Sequence, residues 1–247
     1  MINNNFISLV MPCKNEARAI ESVFKDLPGE IDEIIVVDNN SSDQTTRIAK
    51  SFGAKIIHEP RSTRSGIGYG YALQKGVEKT KGNIIVCMDG DGSYPVKETP
   101  LLIKHLLNRN LDFLSCNRLP FEDPKKMSLV RSFGVRVLNS LIGVLYGYKI
   151  KDSLSGMWVF RRSVYDGLRP TEGGWNFSLE IKLKTIVDSR FKFSEKQISY
   201  HDRIFDSSKQ NIFRTGIEHV VYLFSLKRAL LSLSKLNRIK EGPGFDF

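Results

Sequence analysis

The 247-residue sequence is short of cysteine, of histidine and of long apolar runs. Its three cysteines, Cys13, Cys87 and Cys116, are odd in number and contain no CxxC pair. This argues against a disulfide framework and reads as buried thiols in a reducing compartment. Its four histidines, His58, His105, His201 and His219, have no metal-ligand spacing and read as structural or surface residues. His201 is set apart because it adjoins a polar loop at 202–210. No apolar run reaches the roughly 20 residues that a membrane span needs. The richest stretches, 135–148 and 220–233, are broken by Asn139 and Gly143 and by Lys227 and Arg228. Residues 1–5 carry neither a basic segment nor an apolar core, so no secretory signal is read there. Internal repeats and low-complexity segments are also missing, which excludes solenoid architectures.

What is plentiful is basic charge. Lys and Arg number 37 against 27 Asp and Glu, a formal net charge of +10. Residues 1–100 hold 12 basic and 13 acidic residues, net −1, and residues 101–247 hold 25 and 14, net +11. The whole excess lies in the second part. It suits an anionic partner, whether nucleic acid, a phosphorylated substrate or an acidic membrane surface, or simply a solvated basic face. Apolar residues at 41% and charged residues at 26% are ordinary for a globular chain.

The first part alternates two periodicities. Strand-like apolar runs fall at residues 6–11, 34–37, 54–58, 83–88 and 112–116. Helical spacing fills 16–27, 43–52, 68–79 and 97–108 between them. Strands alternating with helices predict an α/β fold with a mainly parallel central sheet flanked by helices. Ligands of such sheets gather at the carboxyl ends of the strands. Polar clusters stand there: Lys14-Asn15-Glu16, Asp38-Asn39-Asn40 and Asp89-Gly90-Asp91. Beyond residue 117 the spacing predicts a long helix over 128–148, a strand at 157–160, a helix over 176–189, a short strand at 197–200 and a helix over 212–233. A polar loop spans 202–210, and 241–247 reads as a frayed tail.

Asp89-Gly90-Asp91 is the sharpest local feature. Alternation along an extended segment points both carboxylates the same way. Such a pair suits a hard divalent cation whose other ligands are phosphate oxygens and water, the bland alternative being an acidic turn. Gly66-Ile67-Gly68-Tyr69-Gly70 does not satisfy GxGxxG, because Tyr71 stands at the last position. It reads as a loop whose backbone approaches a ligand closely, with Arg61 and Arg64 upstream to reach a phosphate. Trp158 and Trp175 can stack on a sugar or pack in the core.

Taken together, PCKNE after the first strand, VVDNNSSDQT after the second, RSGIGYGYALQKG, and MDGDGSYP after the fourth resemble the family 2 glycosyltransferases of GT-A fold. Past residue 117 the likeness narrows toward polyprenyl-phosphate (dolichyl-phosphate) mannose or glucose synthases. It is carried by Asn117-Arg118, Arg131 with Asn139, the segment from Asp152 to Arg161, and Tyr200-His-Asp-Arg203 with Ser208-Lys209. The likeness covers about residues 6–215 and implies one catalytic domain over 1–240. Residues 1–116 would serve the nucleotide sugar, and 117–240 the acceptor and a membrane face.

The resemblance implies that Pro12, Asn15, Glu16 and Asp38 line a nucleotide pocket, with Arg64, Gly68 and Gly90 beside the donor. Asp89 and Asp91 would hold Mg²⁺ or Mn²⁺ against the donor diphosphate. An inverting transfer to a lipid phosphate needs positioning cations, and Arg118, Arg131, Arg203 and Lys209, with Ser208, are the candidates. A lipid phosphate is already largely dianionic at neutral pH and can attack unaided. If a base is used, Asp152 is the first choice and Glu180 the second. Two positions depart from the family pattern. Asn39 stands where a second acidic residue often follows the second strand. Ser93 stands where the mannose synthases commonly carry Gln.

The expected reaction is therefore hexose transfer from a UDP- or GDP-sugar to polyprenyl or dolichyl phosphate. A glycan or protein acceptor is the alternative, and a nucleotidyltransferase or a non-enzymatic polyanion binder stands further off. No basic-aromatic nucleic-acid motif is visible, so nucleic acid is not expected as a partner. The expected setting is cytoplasmic, peripheral on the cytoplasmic face of an anionic membrane, with a membrane-anchor partner or a homodimer as the accompanying assembly.

Overall fold

The computed structural model describes residues 1–64, 66–119, 129–201 and 211–240, and side chains for all of these except 129–131 and 233–240. A seven-stranded sheet runs β3-β2-β1-β6-β8-β7-β9. It comprises β1 (Ile7–Cys13), β2 (Glu33–Asp38), β3 (Lys55–His58), β6 (Ile84–Cys87), β7 (Phe113–Asn117), β8 (Trp158–Arg161) and β9 (Phe193–Gln197). A hairpin of β4 (Ser62–Thr63) and β5 (Gly66–Ile67) projects beside it. The helices are α1 (Ala17–Lys25), α2 (Thr45–Ser51), α3 (Tyr69–Glu78), α4 (Thr99–Asn108), α5 (Leu129–Tyr146), α6 (Arg162–Leu168), α7 (Phe177–Val187) and α8 (Ile212–Lys240).

Strand periodicity sorts the apolar side chains onto two faces. Leu9, Met11, Val36, Val86, Leu114 and Val159 pack on one face with Ile20 and Phe24 of α1, Ala49 of α2 and Leu102 and Leu106 of α4. Val10, Ile35, Val37, Ile85, Phe113, Trp158 and Phe160 pack on the other with Leu73 and Val77 of α3, Val164 of α6 and Ile181 of α7. All three cysteines are buried and none forms a disulfide among the described residues.

A third cluster joins α5, α7 and α8 through Leu138, Ile142, Leu179, Leu183, Leu223 and Leu226. Full burial of such a side chain contributes about 1.5–3 kcal/mol, enough to dock both long helices on the body.

Register decides what the sheet presents. Cys13 pairs with Asp38 and Asp38 with His58, so the first three strands end level. β8 runs antiparallel between β6 and β7, with Cys87 opposite Trp158 and Ser115 opposite Trp158. The start of β8 therefore meets the end of β6, and the 152–157 segment arrives beside Asp89. β9 pairs parallel to β7, Asn117 opposite Gln197, so residues 198–201 leave at the same edge.

Three details differ from expectation. The last strand is β9 at 193–197, not 197–200. It is an edge strand with Glu195 and Lys196 at its centre, so its alternation carries little apolar signal. α6 follows β8 with no loop between them. α8 runs on to Lys240, beyond the expected 233.

Candidate active site

Five segments converge on the carboxyl edge: residues 12–16, 38–41, 67–69, 89–94 and 152–157. The loops after β1 and β2 are tied by side chains. Asn15, at φ 53°, accepts from the Ser42 amide through Oδ1 at 2.7 Å, and the Asn15 amide donates to Ser41 Oγ at 3.0 Å. The Glu16 amide donates to Thr45 Oγ1 at 2.8 Å. Asp38 is buried; its Oδ1 accepts from the Ser41 amide at 3.0 Å and its Oδ2 lies 3.3 Å from His58 Nδ1. Asn39 holds the next segment, donating to the carbonyls of Glu59 and Arg61 and accepting from the Gly68 amide at 3.3 Å.

A small cavity of about 40 Å³ lies among Pro12, Lys14, Glu16, Asn39, Tyr69, Asp89, Gly90, Asp91 and Trp175. Asn39, rather than Asp38, reaches its wall. Gly68 precedes it at the start of α3, and Arg64 stands exposed at the tip of the β4–β5 hairpin, away from this wall.

Asp91 is buried, and its Oδ1 accepts from the Ser93 amide at 3.0 Å and from Ser93 Oγ at 2.6 Å. Ser93 thus orients the carboxylate. Two glycines let backbone pass close to this acidic pair. A Cβ on Gly90 would sit 2.5 Å from Cys13 Sγ. A Cβ on Gly156 would sit 2.9 Å from the Tyr69 hydroxyl and 3.1 Å from Asp89 Oδ2. Tyr69 hydrogen-bonds Asp89, and burial together with that carboxylate pushes its hydroxyl pKa well up, keeping it a donor.

A larger cavity of about 310 Å³ opens from the other side of Asp89. Tyr69, Tyr94, Arg118, Gly156, Trp175 and Tyr200 line its inner end. Phe133, Val137 and Leu138 of α5 and Ile212, Gly216 and Val220 of α8 line its outer part. Tyr69, Asp89 and Trp175 belong to both cavities, and Tyr69 stacks on Trp175 with ring centroids 4.9 Å apart.

Among the described residues, Arg118 is the candidate acceptor-binding cation that lines this cavity. Its Nε and Nη2 donate to Asp152 Oδ2 and Oδ1 at 2.7 and 2.9 Å, and its amide donates to Oδ2 at 3.1 Å. Burial alone would raise the Asp152 pKa, but Arg118 outweighs it and holds the carboxyl below its usual range. Asp152 is wholly buried and does not line the cavity, so its carboxylate is placed to anchor Arg118 rather than to receive a proton from a ligand. Glu180 is likewise engaged elsewhere, accepting from the amides of Thr171 and Glu172 and from Lys184.

Arg131 lies within α5, but its side chain is outside the described residues, as are Arg203, Ser208 and Lys209 entirely. The described chain before residues 202–210 ends at His201, whose amide donates to the Ser93 carbonyl at 3.0 Å, next to the Asp91 cradle.

Sequence reasoning missed the supports of the 152–156 segment. Lys182 of α7 is fully buried and donates to the carbonyls of Asp152, Ser153 and Ser155 at 3.2, 3.0 and 2.8 Å. Tyr94 accepts from the Gly156 amide at 2.6 Å, Glu195 from the amides of Lys151 and Asp152, and Asn139 from the Ser153 amide. A lysine in a helix normally signals a wet face, and nothing local distinguishes this one. Trp158 packs in the core, its Nε1 donating to the Ser155 carbonyl at 2.8 Å, whereas Trp175 reaches the cavities.

Burial pushes the Lys182 pKa from the ordinary 10.5 down to about 8. Between those values the unfolded chain binds more protons than the folded one, so stability from this group rises with pH. Relative to a Lys182→Met variant, the native chain is expected to gain unfolding free energy from about pH 8 to 10.5 and to show a flat difference below 8. Urea unfolding of both proteins across that range measures it; a difference that falls through the window refutes the assignment.

A sheet with one antiparallel strand inserted beyond its parallel core, and an acidic pair at the carboxyl edge between two cavities, define a GT-A glycosyltransferase. The sequence profile of glycosyl transferase family 2 matches residues 8–169, and the chain belongs to that family. It is 30% identical over 224 residues, 88% of its length, to the low-salt glycan biosynthesis hexosyltransferase of Haloferax volcanii, and spans 52% of that protein. It is 28% identical over 201 residues to the dolichyl-phosphate hexose transferase of the same organism, covering 80% of this chain and 83% of that one. Among solved structures it is similar to glucosyl-3-phosphoglycerate synthase from Mycobacterium tuberculosis in complex with Mn²⁺, UDP and glucosyl-3-phosphoglycerate. There the identity is 22%, the TM-score 0.71, and the coverage 90% of this chain and 80% of that one.

Proposed function

We propose that this enzyme transfers a hexose, with inversion, from a UDP- or GDP-sugar to a polyprenyl phosphate. The observation that carries the reading is the larger cavity, which joins the Asp89 end of the acidic pair to an apolar lining between α5 and α8. A lipid phosphate has that polarity, a dianionic head followed by an isoprenoid chain. The similarity to the dolichyl-phosphate hexose transferase supports the same acceptor.

The smaller cavity, walled by Pro12, Asn39 and Gly90, marks where the donor's nucleoside diphosphate would meet the sheet edge. Glu16 lines the same cavity, and Asn15 and Asp38 shape that wall from behind. Asp89 and Asp91 supply hard oxygen donors on one edge, and the space that a Cβ on Gly156 would fill lies against Asp89. That donor set fits Mg²⁺ or Mn²⁺. Among the described residues no group of three His, Cys, Asp or Glu side chains forms a metal cage, so phosphate oxygens and water would complete the shell. The bound cation would neutralise charge on the departing diphosphate.

Arg118, locked by Asp152, presents a fixed positive charge for the acceptor phosphate without having to reorganise. Arg131, Arg203, Ser208 and Lys209 are proposed to complete that grip. The attacking phosphate oxygen then needs no general base.

Apolar side chains on the outside of the same two helices suit docking on a membrane. Phe133 and Val144 of α5 and Phe213, Ile217, Val221 and Phe224 of α8 are each more than half exposed. Arg136, Arg214, Lys227 and Arg228 flank them and suit anionic headgroups. Among the described residues no helix is long and apolar enough to cross a membrane. We place the protein on the cytoplasmic face, with residues 1–240 as one catalytic unit.

The test is incubation with Mn²⁺ or Mg²⁺, polyprenyl phosphate and a panel of labelled UDP- and GDP-hexoses. Label is expected in the lipid fraction and to depend on the cation. Transfer to saccharide alone, with none to the lipid, would reject the lipid acceptor. On acidic liposomes the protein is expected to float at low salt, and its retention in the soluble fraction would reject membrane docking.

A further inference from the structure

Among the described residues, Trp175 Nε1, Thr215 Oγ1 and His219 Nε2 are buried without a hydrogen-bond partner, and all three residues line the larger cavity. Thr215 and His219 lie four residues apart on α8 and so share one helix face, each only 2% exposed. Trp175 stands just before α7, in the wall shared by both cavities. Leaving buried polar atoms unmet is costly, so these side chains in one cavity wall point to a ligand that satisfies them.

The chemistry of the three atoms selects the ligand. His219 Nδ1 lies 2.7 Å from Asn176 Oδ1, an oxygen that only accepts, so Nδ1 carries the proton and Nε2 presents a lone pair. Burial pushes the His219 pKa down to about 4, so the ring is neutral at pH 7. Trp175 Nε1 can only donate, and the Thr215 hydroxyl does either. A dianionic phosphate has no proton to give His219 Nε2, and an isoprenoid chain satisfies none of the three. Hydroxyl groups both give and accept.

We infer that Trp175, Thr215 and His219 form a hydroxyl-binding subsite that holds the transferred hexose and contributes to the choice of sugar. The inference rests on the glycosyl-donor reading and names the part of the cavity that the sugar ring takes. Asn176 acts behind it as a positioning residue, fixing the His219 tautomer.

The chain has two tryptophans, so ¹⁵N-labelled protein gives two indole N–H resonances. Trp158, already bonded to the Ser155 carbonyl, is the internal reference, and a Trp175→Phe variant assigns the other. The full chain is titrated in Mg²⁺ with UDP, UDP-glucose, GDP, GDP-mannose and a short-chain isoprenyl phosphate. The Trp175 resonance is expected to shift with a nucleotide sugar and to stay in place with the matching nucleoside diphosphate and with the isoprenyl phosphate. His219→Phe is expected to weaken binding of that nucleotide sugar about tenfold while leaving the nucleoside diphosphate within about twofold. Thr215→Val serves the same comparison if the His219 variant does not fold.

An equal shift with the nucleoside diphosphate or the isoprenyl phosphate overturns the subsite. So does an unchanged ratio of the two affinities in the variants. Failure of every nucleotide to bind overturns the donor reading itself, a different result from a nucleotide that binds without its sugar being sensed.

Discussion

Asp91→Asn is expected to lower the turnover number about 10²–10³-fold while leaving the unfolding midpoint close to that of the native chain. Charge would develop on the leaving diphosphate as the glycosidic bond breaks, the cation that Asp91 would help hold would neutralise it, and losing one such stabilising group typically costs about that much. The asparagine keeps an oxygen for the Ser93 amide and hydroxyl, which donate to Asp91 Oδ1. Asp91→Ala removes this acceptor and is expected to lose about 1–3 kcal/mol of stability as well. Comparing the two separates the chemical from the structural part. Nucleoside diphosphate release at saturating donor and acceptor measures the first, and urea unfolding measures the second. Full activity in the asparagine variant would remove Asp91 from the mechanism.

The second large effect concerns Arg118 and Asp152. Asp152→Ala is expected to destabilise the protein by about 3–5 kcal/mol, because it leaves a buried guanidinium without its counter-charge. The Arg118 side chain is 10% exposed and that of Asp152 is 0% exposed, so solvent screens little of this. Replacing the pair together, with Arg118→Met and Asp152→Leu, is expected to restore much of the stability, since well-packed apolar residues often match a buried ion pair. Activity is expected to stay lost, because the acceptor phosphate then has no Arg118 to meet. A double variant that regains both stability and lipid transfer would show that the pair serves folding alone. If Asp152 were instead the general base, Asp152→Asn would fold normally and its residual rate would climb with pH as hydroxide replaced it. The Arg118 pairing predicts no such rise.

Much of the nucleotide side was legible because its signals are local. The apolar runs of β1, β2 and β6 each end in polar residues, and parallel pairing brings those ends level. Other features had no local signal. The direction of β8 is not written in its periodicity, since a run buried on both faces reads alike in either sense. Yet that direction sets Gly156 against Asp89. Lys182 of α7 carries no local sign of burial, because its carbonyl partners lie 27 to 30 positions earlier in the chain. The pairing of Asp152 with Arg118 spans 34 positions and is created by the return of the chain through α5. Asp38 and Asn39 show the finer limit. Asp38 ends β2 and Asn39 follows it, and only the register of the next loop decides which of them reaches the cavity wall.

The insertion of β8 between β6 and β7 also bears on how the chain matures on the ribosome. β6 is complete at Cys87, but its neighbour on that side is not complete until Arg161. At about 5–20 residues per second, several seconds pass while an apolar strand edge waits bare. Such an edge is a template for pairing with another nascent chain. Residues 1–117 contain the acidic pair and the smaller cavity's first loops, yet cut off there they would leave β6 and β7 unjoined. Residues 1–117 are therefore expected not to fold as an independent unit, and a fragment ending at β7 is expected to aggregate during expression.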